Sequence, residues 1–326
     1  DFADIYSETA AFEMAQDPRS LARPLGPASA QYMQMLMMAN SRPYYVSTPD
    51  GVVERGVPCL DTPRGPIIHI ENSKMWSYQV GGYHDLEAMP QLVSMARATN
   101  LTAFQAALMM HQLPCFHVVY ADGEGNIFYL YNAKMGVKAV SQRSDNPSEK
   151  DFVVTWTQPV PGDDPVYAWG DTIPISDLPA VTNPGCGYVQ ACGTPPWSVG
   201  DEVGIKRENF AEWFARDADS YRAQRTRRLL AMGKRSFYDC TSMLYDISAP
   251  LAMDVIPRLL EAAEQNPEYV AQAHPDLAAL VEMLRGWNCL ADTSSVEMTL
   301  FHVWWTVLNS MRPQAFATEA DFVGAL

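Results

Sequence analysis

The chain has 326 residues, 48% of them hydrophobic and 11% aromatic, enough to bury a substantial core in one large domain or two. Its 23 Lys and Arg stand against 38 Asp and Glu, giving a formal charge of −15 and a pI near 4.7. That balance argues against nucleic acid as a partner, because phosphate contacts need clustered cations. No run approaches the roughly 18 apolar residues of a membrane-spanning helix, and Asp1-Phe2-Ala3-Asp4 is not a signal peptide.

Residues 1–17 read as a short helix and residues 18–27 as a loop. The run Tyr32-Met33-Gln34-Met35-Leu36-Met37-Met38 mixes helix and strand signals, and its methionines, with no His or Cys beside them, read as core filler. From Tyr44 to Tyr83 the pattern predicts antiparallel strands over 44–48, 52–61, 67–70 and 76–80, with a turn at Pro49-Asp50-Gly51. Helices are predicted over 86–98 and 103–109, the second with Thr102 as N-cap, and Leu113-Pro114 ends that stretch. The clearest hairpin pairs 116–120 with 127–131, two arms rich in aromatic and β-branched residues around Asp122-Gly123-Glu124-Gly125-Asn126. Residues 133–151 read as a polar surface loop and 152–156 as a strand, and Pro159-Val160-Pro161-Gly162 opens an irregular path to Pro184.

Asn183 to Trp197, NPGCGYVQACGTPPW, is the most constrained stretch. Gly185 and Gly187 permit positive φ or close backbone approach, 188–190 reads as a short strand, and Pro195-Pro196 stops further pairing in a rigid turn. The composition then changes, dividing a strand-rich part, residues 1–204, from a helical part, residues 205–326. Helices are expected over 209–232, 249–265, 275–287 and 294–311, from apolar residues at helical spacing. Arg222, Arg225, Arg227 and Arg228 on the first of these read as a solvated face paired with Asp217 and Asp219.

The six cysteines form no C-x-x-C pair and no cluster with histidine, so nothing calls for zinc or another cofactor. Cys186 and Cys192, the closest pair, are expected to point apart rather than to bridge. Asn100-Leu101-Thr102 matches a glycosylation sequon. His69, His111 and His302 lie on apolar segments and read as structural histidines. G-x-S-x-G, H-E-x-x-H, P-loop and G-x-G-x-x-G signatures are absent, so pattern alone leaves the function open.

Several words of the sequence nevertheless occur together in a known order. Tyr120-Ala121-Asp122-x-x-Gly125-Asn126-Ile127, preceded by Pro114, resembles the Y-A-D-x-x-G-N-I hairpin of the penicillin acylase family of N-terminal-nucleophile hydrolases. Arg64-Gly65-Pro66-Ile67-Ile68 resembles its H-G-P-V-V strand, and Pro159-Val160-Pro161-Gly162 its V-P-G segment. Trp169-Gly170, Ile173-Pro174 and Leu178-Pro179 resemble its W-x-G-x-x-P-x-x-x-L-P path. Asn183-Pro184-x-x-Gly187-Tyr188-Val189 is similar to N-P-x-x-G-[FY]-[VI], and 190–197 to the Q-N-x-N-x-P-P-W of the aculeacin and acyl-homoserine-lactone acylase branch. Tyr221-Arg222-Ala223-Gln224-Arg225 resembles the R-A-x-R helix, and Leu284-Arg285-Gly286-Trp287-Asn288 with Ala291-Asp292 resembles L-x-x-W-D-G-x-A-D. The similarity runs from about residue 45 to 310.

The resemblance implies an α+β fold, an αββα sandwich of two antiparallel sheets between helical layers, forming the β-subunit portion of an enzyme exported to the periplasm or secreted. It implies hydrolysis of an N-acyl amide by an N-terminal Ser whose own amine is the base, without a cofactor. No segment here resembles the nucleophile region, so the implied partner is the other subunit or remainder of a precursor carrying that Ser. Gly193 stands where the family has its oxyanion asparagine, within Ala191-Cys192-Gly193, and Arg222 matches the arginine that supports it. Cys115, Phe116 and His117 fall where the family lines its acyl pocket, and otherwise read as core. The alternative is a degenerate, catalytically inactive acylase fold kept as a binding or structural module.

Overall fold

A computed structural model describes residues 3–9, 40–59, 61–62, 64–71, 74–83, 85–141, 153–154, 156, 158–162, 164–215 and 217–311. The protein is α+β, with small, mainly antiparallel sheets and a helical C-terminal part. It divides into two compact units, Asp1–Pro184 with Gly204–Arg216, and Gly185–Val203 with Asp217–Leu326.

The first unit holds a five-stranded sheet in the order β4-β5-β6-β1-β9. These strands are β1 (Ala3–Thr9), β4 (Asp61–Thr62), β5 (Gly65–Glu71), β6 (Lys74–Val80) and β9 (Val160–Pro161). Strand β1 corrects the helix expected over 1–17: Ala3 pairs with Val80 and Thr9 with Lys74, while Tyr6 and Ser7 pair in parallel with β9. Partners some 70 residues away satisfy its backbone, and local helical preference loses to them. A bulge between Ile67 and His69 interrupts the β5–β6 register, and Ile68 is exposed there. Strands β2 (Asn40–Thr48) and β3 (Gly51–Cys59) form a separate hairpin about the expected turn. The methionine run 32–38 lies outside the described residues.

The predicted hairpin is present as β7 (Cys115–Ala121) and β8 (Ile127–Ala133), which with β10 (Ala180–Thr182) makes a sheet ordered β10-β8-β7. The Asp122 side chain holds the turn, accepting from Glu124 N at 3.0 Å and Asn126 N at 2.9 Å. Strand β8 is buried from Phe128 through Ala133, because neighbours cover both of its faces. On one, Tyr131 meets Phe214 with ring centroids 5.5 Å apart; on the other, Asn132 Nδ2 donates to the Leu113 carbonyl at 2.9 Å.

Helices α1 (Ala88–Ala96) and α2 (Leu101–Leu108) precede this hairpin. Asn100, not Thr102, is the cap of α2, its side-chain oxygen accepting from Ala103 N at 2.9 Å. The fully buried Gln91 of α1 closes the exit of α2 by accepting from Gln112 N at 2.6 Å and Leu113 N at 3.2 Å. The Lys138 ammonium, on a side chain only 3% exposed, sits within 5.5 Å of the ring centroids of Trp156, Trp169 and Trp213. Val153, Val154 and Trp156 are not in a strand, correcting the strand expected over 152–156.

In the second unit the helix expected over 209–232 is shorter, α3 (Tyr221–Leu230). Ala215, outside this unit, has φ +42, and the helix starts only at its cap Ser220, whose Oγ accepts from Ala223 N at 3.2 Å. Helix α4 (Phe237–Met243), opened by a Ser236–Asp239 capping box, and α6 (Pro267–Ala273) were not anticipated. The other expected helices are α5 (Pro250–Gln265), α7 (Leu277–Arg285) and α8 (Val296–Ser310). Ala252, Val255 and Ile256 of α5, Leu284 of α7 and Phe301 and Trp305 of α8 share a core with Trp287, which lies just past α7, and the residues of α5 and α8 stand at helical spacing.

Among the described residues no helix is long and apolar enough to cross a membrane, and no three His, Cys, Asp or Glu side chains could hold a metal ion.

Candidate active site

The stretch around Gly193 is a clamped loop rather than a strand. Residues 188–190 have no strand partner; the Gln190 N–H is taken by the Val199 carbonyl at 2.8 Å, which closes a loop of the chain on itself. The buried Gln190 side chain works inward, donating from Nε2 to the Ser198 carbonyl at 3.0 Å and accepting the Cys192 N–H at 2.9 Å. Thr194, also buried, donates at 3.3 Å to the Ser198 carbonyl or to Asp219. Asp219 in turn takes a two-point contact from Arg227, at 2.8 and 2.5 Å, and Arg227 Nη1 reaches the Ser198 carbonyl at 2.9 Å. The Asp219 carboxylate holds the Arg227 guanidinium firmly protonated, and burial together with Asp201 pushes the Tyr188 hydroxyl well above its usual range. Tyr188 donates to Asp201 at 2.6 Å.

On this base sits the Cys192–Gly193 peptide. Arg222 donates to the Cys192 carbonyl from Nε at 3.2 Å and Nη2 at 3.1 Å, and Ser220 Oγ donates to the same oxygen at 3.2 Å. Gly193 is exposed with φ +69, and a Cβ there would lie 3.1 Å from Arg222 Nη2. The fold thus brings together Gly193 and Arg222, 29 positions apart in sequence. Ser220 was not singled out from the sequence. Its signal, a serine just before an apolar-periodic run, was hidden by starting the helix at 209. Of the other arginines, Arg225 pairs with Asp246 at 2.5 Å and Arg228 lies 3.9 Å from Asp254, so the expected pairing with Asp219 is made by Arg227 while its neighbours face other partners.

Cys115, Phe116 and His117 lie in the first unit, at the start of β7. Strand alternation turns Cys115 and His117 to one face and Phe116 to the other, where it is 53% exposed. His117 Nδ1 lies 2.8 Å from the Tyr129 hydroxyl, and its ring meets Tyr131 edge-on at 5.3 Å. None of the three lines the cavity of about 300 Å³ in this unit, which is bounded by Arg64, Tyr83, Asp85, Lys134 and Trp169.

Of the three histidines, His69 packs on Trp76 at 4.9 Å. His111 takes φ +48, and burial and then Lys134 hold its imidazole below the usual range. His302 departs from expectation, facing outward from α8. None of Cys115, Cys186, Cys192, Cys240 and Cys289 is in a disulfide.

Comparison with known proteins places these motifs in one frame, since the family described as Penicillin amidase matches residues 28–321. The chain belongs to the penicillin amidase family. Its fold is similar to that of a thermostable penicillin G acylase from Alcaligenes faecalis, with a TM-score of 0.61 at 17% identity. That likeness covers 97% of this chain and 53% of the other, so the chain spans about half the length of the solved acylase.

Proposed function

We propose that this chain is the β-subunit portion of an amidohydrolase that removes an acyl group from an N-acyl amide, with the nucleophile supplied outside the chain. The family match over residues 28–321 carries this reading. The clamped loop supports it locally: Arg222 holds the Cys192 carbonyl, and the exposed Gly193 on the other side of that peptide is the kind of position that can meet a carbonyl oxygen. The start of β7 is assigned to the acyl group on the family resemblance, with Cys115 and His117 on its half-buried face and Phe116 exposed on the opposite one. A β-lactam, a lipopeptide or an acyl-homoserine lactone fits that substrate class, and the enzyme is proposed to work in the periplasm or outside the cell.

In this scheme a Ser on the partner polypeptide attacks the amide carbonyl, its own α-amine takes the proton, the amine product leaves, and water resolves the acyl-enzyme. The test is intact-mass measurement of the complete protein after exposure to an amide-directed acylating inhibitor, alongside release of amine from N-acyl substrates. One adduct on an N-terminal Ser, with turnover, is the expected outcome. Ligand binding with neither adduct nor turnover would instead establish the inactive binding module, a reading favoured by the absence of a side-chain donor at Gly193.

A further inference from the structure

Hydrolysis of an amide needs a hydrogen-bond donor for the oxygen that passes from carbonyl to oxyanion, and a preoriented backbone N–H supplies one with little reorganisation. Resting on the acylase reading above, we propose that the Gly193 N–H is that donor and that Ser220 and Arg222 are positioning residues that aim it.

The orientation follows from the far end of the same peptide. Three donor atoms converge on the Cys192 carbonyl, Arg222 Nε at 3.2 Å, Arg222 Nη2 at 3.1 Å and Ser220 Oγ at 3.2 Å. The peptide is trans and planar, so the Gly193 N–H runs antiparallel to that carbonyl and leads away from all three. Among the described residues nothing accepts from it, and Gly193 is exposed, so the donor stands at an open surface. Flanking contacts keep the peptide from turning: Gln190 Oε1 holds the preceding N–H at 2.9 Å, and the buried Thr194 anchors the following residue.

Charge and shape act in the same direction. A guanidinium on the carbonyl polarises the peptide and strengthens the donor at its other end. Glycine suits the position twice, since φ +69 is the left-handed region and a Cβ would press on Arg222 Nη2. Ser220 links the arrangement to α3, because the hydroxyl that donates to Cys192 also accepts from Ala223 N. No bond is made or broken by this group; it donates to the substrate oxygen as negative charge grows there, and relaxes when the carbonyl re-forms.

The experiment uses the complete protein, nucleophile-bearing part included, with N-acyl aminocoumarins carrying an aromatic or a fatty acyl group. Exchanging Gly193 for glycolic acid replaces only the N–H by an ester oxygen, and is expected to lower kcat by about 10²–10³-fold with KM changed by less than about threefold. Ser220→Ala and Arg222→Met should each lower kcat by about tenfold, and Arg222→Lys, which keeps a donor for the Cys192 carbonyl, should recover most of that loss. With a boronic acid analogue of the acyl group bound, the ¹⁵N-labelled Gly193 amide proton is expected to move downfield. A glycolate variant with parental kcat, or a Gly193 amide that does not move, overturns the proposal while leaving the acylase reading intact. Absence of both turnover and adduct in the parent protein overturns the acylase reading and the donor with it.

Discussion

At the scale of single residues, the positions that matter most are those with positive φ. Gly193 at +69 and Asn183 at +49 bracket the constrained stretch, and each is a residue type that enters the left-handed region with small penalty. Asn183 also bridges strands, accepting the Ile127 N–H at 2.8 Å and donating its own N–H to the Ile127 carbonyl at 2.9 Å. Asn183→Ala should therefore cost about 1–2 kcal/mol, from backbone strain and an unanswered N–H, measured by urea unfolding. At Gly193, valine should cost a similar amount and asparagine less, because asparagine tolerates this φ better although its Cβ still meets Arg222 Nη2; thermal unfolding measures the difference. The amino-acid types at these positions were legible as turn residues. Which of them takes positive φ was not, since Gly185, flagged alongside Gly187, does not take it.

At the scale of elements, the ends are held by single polar side chains. Asn100→Ala should lower stability by about 1 kcal/mol through loss of the α2 cap, and Gln91→Leu by about 1–3 kcal/mol through two unsatisfied N–H groups at its exit, both seen as shifts in denaturant midpoint. In the helical unit the Arg225 guanidinium depresses the Asp246 carboxyl from its ordinary 3.8 to about 2. A depressed carboxylate stabilises the fold fully above its unfolded value and loses that contribution as pH falls through the folded one. Acid should thus weaken this unit between about pH 4 and 2, and Arg225→Met should flatten that part of the profile by circular dichroism. Elements whose signals are local, such as the β7–β8 hairpin and the helices α5, α7 and α8, were readable to within a few residues. Strand β1 was not, because its pairing with β6 spans about 70 residues and leaves no local trace.

At the scale of the whole molecule, two facts set the expectation: the family match over 28–321, and a solved acylase chain of which this one covers 53%. On the proposed reading, residues 1–326 expressed alone should release no amine from any N-acyl substrate, and turnover should appear only with the nucleophile-bearing polypeptide present. Turnover by the isolated chain would place the nucleophile within it and refute the proposal. The β7 face and the clamped loop fall in different compact units.

The sequence by itself determined the family, because turn glycines, prolines and aromatic strand residues recur in a fixed order whatever surrounds them. It also placed five of the eight helix starts among the described residues to within about two residues, from apolar residues at helical spacing, while the serine-capped starts at Ser220 and Ser236 were missed. Only the tertiary structure decided what Gly193 can do. The three donors that fix the Cys192–Gly193 peptide come from Ser220 and Arg222, 28 and 30 residues further along, and hydrogen-bond direction is set in space rather than along the chain.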